Sequence, residues 1–198
     1  MIERARQSLH RLLRDRRGVA AIEFAIIAPI LLSLYFVTME VAQGIEVNKK
    51  VGRVGSMVAD IVTQQQKVTR SEVEAILKIG EAILQPYNRT RPTIIVTAVQ
   101  MSDTATPEAR VAWSRKLADG SFSVGAKKDT LADVPSQLRI RNTFLIKVES
   151  QLGYTPVITW TAGQKETLGL LAAFDGISMN EVYYLRPRMS QAIGCADC

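Results

Sequence analysis

The sequence contains few of the side chains that most enzymes use for proton transfer or metal binding. It has one histidine, His10, near the start, and two cysteines, Cys195 and Cys198, near the end. A four-ligand zinc site made only of the chain's own Cys and His is therefore excluded, and no histidine beyond residue 10 can act as a general base. Since the nucleophile-elbow, phosphate-loop and H-E-x-x-H motifs are also missing, we expect neither an enzyme nor a bound cofactor or metal ion.

The sequence also lacks a dense basic stripe, although its formal net charge is +6. Six arginines and two acidic residues give the short leader, residues 1–17, a net charge of +4, and the remaining residues carry only +2. Outside the leader, the Lys and Arg side chains are not clustered and interleaved with aromatic residues in the way that indicates a nucleic-acid interface. We therefore expect no nucleic-acid partner.

The longest apolar run, residues 19–37, follows the basic leader directly. Its 19 residues contain one charge, Glu23, and as a helix they would extend roughly 28 Å, close to the thickness of a bilayer's hydrocarbon core. A buried helix of a soluble domain seldom combines so long an apolar run with such a basic flank, and residues 41–44 form only a weak site for removal as a secretory signal. The pattern predicts a transmembrane helix over residues 19–40, with the arginines on the cytoplasmic side.

Two residues are unusual for a simple membrane anchor. Gly18 separates the arginines from the apolar run, and Glu23 lies just over one turn inside that run. An ionised carboxylate within a membrane helix is a candidate functional group, although a side chain so close to the cytoplasmic edge can also extend to the lipid headgroups. From the residues alone, both explanations of Glu23 remain open.

The segment RRGVAAIEFAIIAPILL, residues 16–32, resembles a prepilin processing site. In particular, it is similar to the TadE-like and TadG-like minor pilins of the tight-adherence (Tad, or Flp) type IV pilus. The resemblance implies that a prepilin peptidase cuts between Gly18 and Val19, so that Glu23 becomes the fifth residue of the mature chain. It also implies that Glu23 and Phe24 contact other subunits. For Glu23 there is a physical reason, because the new α-amine of Val19 needs a partner that a neighbour's Glu23 can supply.

The remainder of the chain has helical spacing first and strand-like spacing afterwards. Valines and isoleucines recur at helical intervals over residues 47–66, which predicts one long helix leaving the membrane, with an interruption expected near Gly44. A second helix is predicted from a capping-box pattern at Ser71 and Glu74, and it should end by Pro86. Six segments are rich in β-branched and aromatic residues and are predicted to be strands: 93–101, 110–115, 121–124, 143–151, 157–160 and 181–186.

These elements predict an α+β fold. The N-terminal transmembrane helix should extend into a pilin-like domain, residues 41–198, in which helices pack on an antiparallel sheet. Asp119-Gly120 predicts a hairpin turn, and residues 164–174 predict a short helix within a loop. Trp113-Ser114 and Arg186-Pro187-Arg188 resemble further parts of the TadE-like family, so that the resemblance extends over nearly the whole chain.

Cys195 and Cys198 have the spacing of a redox motif, but a catalytic pair of this kind should follow a strand and open a helix. We expect a disulfide between them in an oxidising compartment. The alternative is a pair of free thiols that captures a partner subunit.

The sequence therefore predicts a minor pilin or pseudopilin that primes, caps or supports assembly of a Tad-type adhesive pilus. The expected partners are a prepilin peptidase, other pilin and pseudopilin subunits, and the assembly platform of the bacterial inner membrane. We expect the C-terminal domain in the periplasm, with a small amount of the protein in the pilus. The alternative hypothesis is an uncleaved, membrane-anchored extracytoplasmic binding protein that does not enter a filament.

Overall fold

A computed structural model describes residues 18–87, 89–156 and 177–198. The leader, the predicted strand 157–160 and the predicted helix 164–174 lie outside the described residues. The chain divides into two compact units, Met1–Ala42 and Gln43–Cys198. The described elements are, in chain order, α1 (Val19–Thr63), β1 (Lys67–Val68), α2 (Arg70–Ile83), β2 (Thr93–Met101), β3 (Ala109–Ala118), β4 (Ser121–Val124), a 3-10 turn (Ser136–Leu138), β5 (Phe144–Tyr154), β6 (Ile177–Leu185) and β7 (Gly194–Cys195).

Five strands form one antiparallel sheet in the order β4-β3-β2-β5-β6. In the centre, Val96 of β2 lies opposite Arg115 of β3 and Val148 of β5. Together with the long apolar helix, this sheet confirms the predicted α+β fold. The predicted strands 93–101 and 121–124 coincide with β2 and β4, whereas β3, β5 and β6 differ from their predicted bounds by several residues at one or both ends. The two short strands β1 and β7 were not predicted.

The second half of α1 contributes a buried stripe to the domain. Its members recur every three or four residues and are at most 6% exposed: Val47, Val51, Val54, Val58 and Val62. The stripe shares one hydrophobic core with Ile94, Val96 and Val148 of the sheet. The hydroxyl of Ser150 in β5 donates a hydrogen bond of 2.9 Å to the carbonyl of Val51, which joins the helix directly to the sheet.

The predicted long helix is confirmed as α1, but the interruption expected near Gly44 is wrong, because Gly44 lies inside an unbroken α1. A single glycine weakens a helix by about 1 kcal/mol at most, and the surrounding residues outweigh that cost. Gly55 has a different role, since a Cβ there would lie 2.6 Å from Cδ2 of Tyr183. The absence of a side chain at Gly55 therefore lets β6 approach the helix closely.

Helix α2 begins with a capping box, two residues before the predicted one. Thr69 is the N-cap with an extended backbone, so its hydroxyl accepts the backbone N–H of Glu72, while the Glu72 carboxylate accepts the backbone N–H of Thr69. The predicted pair of Ser71 and Glu74 is wrong, because both residues already lie within the helix. Glu74 instead forms an ion pair with Arg115 of β3, so α2 is tied to the sheet by charge as well as by its apolar face.

The opposite face of the sheet carries a second, smaller core. It is formed by Val99, Met101, Ala109, Val134 and Leu145, so the segment that contains Val134 covers this part of the sheet. Tyr184 packs at its edge, and its hydroxyl donates to the carbonyl of Asp133 over 3.4 Å. Burial raises the pKa of Tyr184, an effect that the cation of Lys147 partly opposes.

The hairpin predicted at Asp119-Gly120 is confirmed. The two residues connect β3 to β4 with φ angles of 51° and 76°. Positive φ at both central positions is the requirement of a type I′ turn, whose twist matches that of the flanking strands.

The buried stripe of α1 generates a prediction about stability. Val54 is 1% exposed and Met57 is 39% exposed on the same helix. We expect Val54→Ala to lower the free energy of unfolding by about 2 kcal/mol, since it removes two methyl groups from a packed core. Met57→Ala should change it by less than about 0.5 kcal/mol. Urea unfolding of the full chain in detergent, followed by tryptophan fluorescence, measures both, and equal effects would contradict the assigned packing.

Candidate functional site: the start of helix α1 and the C-terminal tail

The bond predicted to be cleaved lies at the start of α1. Val19 is the first residue of the helix, Gly18 precedes it, and both are exposed. Among the described residues, no atom comes within 4 Å of the position that a Cβ of Gly18 would occupy. The described part of the chain therefore leaves this bond sterically open.

Val19 and Glu23 lie on the same face of α1. They are four residues apart, which corresponds to about 6 Å along the helix axis and slightly more than one turn. Glu23 is exposed, and the next residue, Phe24, is 72% exposed on a face rotated by about 100°. The helix thus presents a carboxylate and an aromatic ring side by side at its beginning.

The first part of α1 is apolar on all sides. Its large apolar side chains are 39–72% exposed: Ile22, Phe24, Ile26, Ile27, Ile30, Leu31, Leu32, Leu34, Tyr35 and Phe36. None of these side chains is buried. A helix that is hydrophobic all round requires an apolar environment on every side. Its length and composition are sufficient to cross a membrane, which indicates membrane anchoring.

Two hydroxyl side chains within this segment bond to the helix itself. Ser33 donates its hydroxyl hydrogen to the carbonyl of Pro29, and Thr38 donates to the carbonyl of Leu34, both over 2.8 Å. Such bonds suit a helix surrounded by hydrocarbon, where water cannot serve as the partner. Glu23 is the single charged side chain between Val19 and Met39, so it stands out chemically from its surroundings.

A second candidate site is the C-terminal tail, residues 186–198. In the structure Cys195 and Cys198 are linked by a disulfide, with their Cα atoms 5.6 Å apart. Cys195 belongs to β7, which pairs in parallel with β1: Gly194 lies opposite Lys67, and Cys195 opposite Val68. Both cysteines are partly buried against the main core.

The tail is attached to the domain at several further points. The backbone N–H of Arg188 donates to the carbonyl of Thr63 at the end of α1 over 2.9 Å, and its guanidinium lies 2.7 Å from a carboxylate oxygen of Asp60. Ile193 is fully buried, and its carbonyl accepts the indole N–H of Trp113 over 2.7 Å. The chain end is therefore an integral part of the domain.

Asp197 occupies the N-terminus of α2. Its carboxylate accepts the backbone N–H of Arg70 over 2.8 Å, and its carbonyl accepts Nε of the same arginine over 2.9 Å. Arg70 is the first residue of α2. A carboxylate at a helix N-terminus satisfies a backbone donor that has no partner within the helix, and it interacts favourably with the helix dipole.

Cys195, Asp197 and Cys198 also bring three potential metal-binding groups together. Their side-chain ligand atoms lie within 4.8 Å of one another. Metal binding by cysteine requires thiolates, however, and two sulfur atoms joined in a disulfide provide none. The arrangement therefore favours a structural role over metal binding.

The contacts of Asp197, Ile193 and Trp113 could not be predicted from the sequence. Asp197 is visible between the two cysteines, but its partner, Arg70, is 127 residues away. Two-residue strands such as β1 and β7 show no periodicity that could indicate their pairing. These contacts could be identified only once the strand pairing between the two ends of the domain is known.

The exposed apolar helix and the sheet define the class of protein: an α+β domain carried by an N-terminal membrane anchor. The family model described as TadE-like protein matches residues 18–59. This match confirms the predicted resemblance for that segment, which is less than half of the chain. The further resemblances at Trp113-Ser114 and Arg186-Pro187-Arg188 lie outside the matched residues. No curated protein and no solved structure matches the chain.

Membrane anchoring by α1 leads to a testable expectation. Ile30 is 63% exposed near the middle of the apolar run, so Ile30→Arg should make the free energy of membrane insertion about 3 kcal/mol less favourable. Thr38→Arg, at the end of the run, should have a much smaller effect because its charge can reach the interface. Alkaline carbonate extraction of membranes measures the integrated fraction. Equal extraction of the two variants would count against a membrane-spanning helix.

Proposed function

We propose that this protein is a minor pilin or pseudopilin that primes, caps or supports assembly of a Tad-type adhesive pilus. The observation that carries the proposal is the exposed start of α1, where an accessible Gly18-Val19 bond precedes an all-round apolar helix with Glu23 on the face of Val19. The match of residues 18–59 to the TadE-like family supports it. A pilin needs these features together: an anchor before assembly, and a helix that can bundle with others afterwards.

The proposed topology follows from the charge pattern. Residues 1–18 form a cytoplasmic leader, residues 19–40 cross the bacterial inner membrane, and residues 41–198 form a periplasmic domain. The net charge of +4 in residues 1–17 supports this orientation, since basic residues remain on the cytoplasmic side. From this location the protein can enter the pilus in small amounts.

Processing by a prepilin peptidase is the first proposed step. Cleavage between Gly18 and Val19 removes the arginine-rich leader and leaves a charged α-amine on Val19. The leader holds the helix end at the cytoplasmic surface, because six arginines cannot enter the hydrocarbon region without a large cost. Its removal replaces that barrier with one amine, which a single carboxylate can neutralise.

Pairing between the α-amine of Val19 and Glu23 of a neighbouring subunit is the second proposed step. The two groups are separated by about 6 Å along the axis within one helix, so a parallel neighbour must be displaced by a comparable distance. In an apolar bundle an unpaired charge is costly, whereas a well-formed pair is tolerated. The pair therefore selects one register of the helices, and the exposed ring of Phe24 adds apolar contact area beside it.

The domain supports a minor role rather than a bulk one. Residues 43–198 contain a five-stranded sheet with a core on each face, whereas the resemblance implies that the major Tad pilin is short. The proposed partners are the prepilin peptidase, other pilin and pseudopilin subunits, and the assembly platform. The alternative, an uncleaved anchored binding protein, has the same domain and differs in its N-terminus.

Cleavage is the experiment that separates these two hypotheses. In cells with an active prepilin peptidase, the mature protein extracted from membranes should begin with Val19, as determined by intact mass and N-terminal sequencing. Gly18→Leu should block this processing, since a bulky side chain replaces the small residue at the proposed cut. Ala25→Leu, which adds the same side chain within the apolar run, is the matched control and should be cleaved. Retention of Met1 in the wild-type protein would eliminate the pilin hypothesis.

The role of Glu23 is tested by variants that leave processing intact. We expect Glu23→Ala and Glu23→Gln to be inserted and cleaved normally, but to co-purify with other pilus components at less than about a tenth of the wild-type level, because a lost ion pair leaves the amine unpaired. Glu46→Ala is the matched control, since Glu46 is an exposed acid on the same helix with a local partner, Lys50. Normal co-purification of Glu23→Ala would instead support a carboxylate that reaches the lipid headgroups.

A further inference from the structure

The C-terminal tail meets the domain where α1 ends and α2 begins. The backbone of Arg188 bonds to Thr63, the last residue of α1, and Asp197 bonds to Arg70, the first residue of α2. Between these points, β7 pairs with β1 in the connection between the two helices. The last eleven residues therefore connect three consecutive elements of the N-terminal part of the domain.

The disulfide surrounds the residue that caps α2. Asp197 lies between Cys195 and Cys198, and Cys195 is held opposite Val68 by the β1–β7 pairing. Val68 is followed by the N-cap residue Thr69 and then by Arg70. Because the four-residue loop is closed at both ends, the position of the Asp197 carboxylate is fixed relative to the N–H that it accepts.

Local capping of α2 does not replace this contact. Thr69 accepts the N–H of Glu72 through its side chain and the N–H of Val73 through its carbonyl. The N–H of Arg70 is instead bound by Asp197, together with the guanidinium Nε of the same residue. The tail thus supplies a partner at the first position of the helix, while the capping box supplies one two residues further on, at Glu72.

We propose that the Cys195–Cys198 disulfide is a redox latch that controls docking of the C-terminal tail. In the oxidised state the loop holds Asp197 on the N-terminus of α2 and keeps Ile193 against Trp113. In the reduced state the loop is open, so the equilibrium between the docked and the undocked tail shifts toward the undocked state. Nothing in this mechanism depends on pilus assembly. Closure of the latch after export to the periplasm rests on the proposed function.

Closure of the latch is a thiol–disulfide exchange with an oxidant of the disulfide class. A thiolate of one cysteine attacks a sulfur atom of the oxidant's disulfide and displaces the oxidant's other sulfur as a thiolate. The second cysteine thiolate then attacks the mixed disulfide and displaces the remaining sulfur. The chain loses two electrons and two protons, and the oxidant's disulfide becomes a dithiol.

Hydrogen exchange on the purified full chain in detergent tests the latch directly. Mass spectrometry first verifies the oxidised and reduced states through a difference of two hydrogens. Closure of a four-residue loop corresponds to about a 20-fold shift in the opening equilibrium in the chain-entropy relation. We therefore expect the backbone N–H of Arg70 to exchange about 20-fold faster after reduction. Trypsin should also release residues 189–198 faster, by cutting after Arg188.

Three variants define what the disulfide and Asp197 each contribute. The double variant Cys195→Ser/Cys198→Ser should behave like the reduced protein with or without reductant. Asp197→Ala should show fast exchange at Arg70 even with the disulfide formed, because the acceptor is missing. Asp103→Ala, which removes an exposed aspartate paired with Arg141, is the matched control and should behave like the wild type.

Two results would overturn the proposal. One is equal exchange at Arg70 in the verified oxidised and reduced forms of the wild-type protein, a comparison that needs no variant to fold. The other is an oxidised Asp197→Ala protein that protects this N–H as well as the wild type does. Failure of N-terminal cleavage would leave both measurements unaffected, so the latch and the proposed function are judged separately.

Discussion

Burial of one face of α1 against the sheet is the interaction on which the domain depends. The valine stripe from Val47 to Val62 forms one side of the main core, and the sheet forms the other. Gly55 permits close contact with Tyr183, and Ser150 bonds to the helix backbone. The same helix begins with the exposed apolar segment at Val19. The membrane anchor and the core helix are thus parts of one element, and a cut in α1 beyond Val47 would remove part of the domain's core.

Charged contacts orient the second helix. Arg115, which is 6% exposed, pairs with Glu74 on α2, and Lys78 lies 5.7 Å from the ring centroid of Phe122 on β4. Apolar burial alone would allow α2 to slide or rotate on the sheet, since hydrophobic contact has no direction. A buried arginine without its carboxylate would be strongly destabilising. The ion pair therefore adds a directional contact between α2 and the sheet, and Asp197 bonds to the start of the same helix.

The features that are local in sequence were predictable, and those that join distant segments were not. The apolar run after residue 18, the helical spacing of the valines, the β-branched residues of 93–101 and the hairpin at Asp119-Gly120 are all local sequence signals. The capping box was placed two residues late, because two overlapping patterns fit the same stretch. The tail contacts and the Arg115–Glu74 pair depend on the tertiary arrangement. For the candidate site, the residue types and spacing around Gly18 and Glu23 could be compared with a prepilin processing site because they form one continuous segment.

The one-turn separation of Val19 and Glu23 has a geometric consequence. Two parallel helices at equal height place amine beside amine and carboxylate beside carboxylate, so a symmetric dimer cannot satisfy the pair. An axial displacement joins one amine to one carboxylate and leaves the other two groups unmatched. The proposed contact would therefore be heterologous and open-ended. A series of such helices would have a polarity, with an unpaired amine at one end and an unpaired carboxylate at the other. A subunit that supplies only one of these two groups would terminate the series.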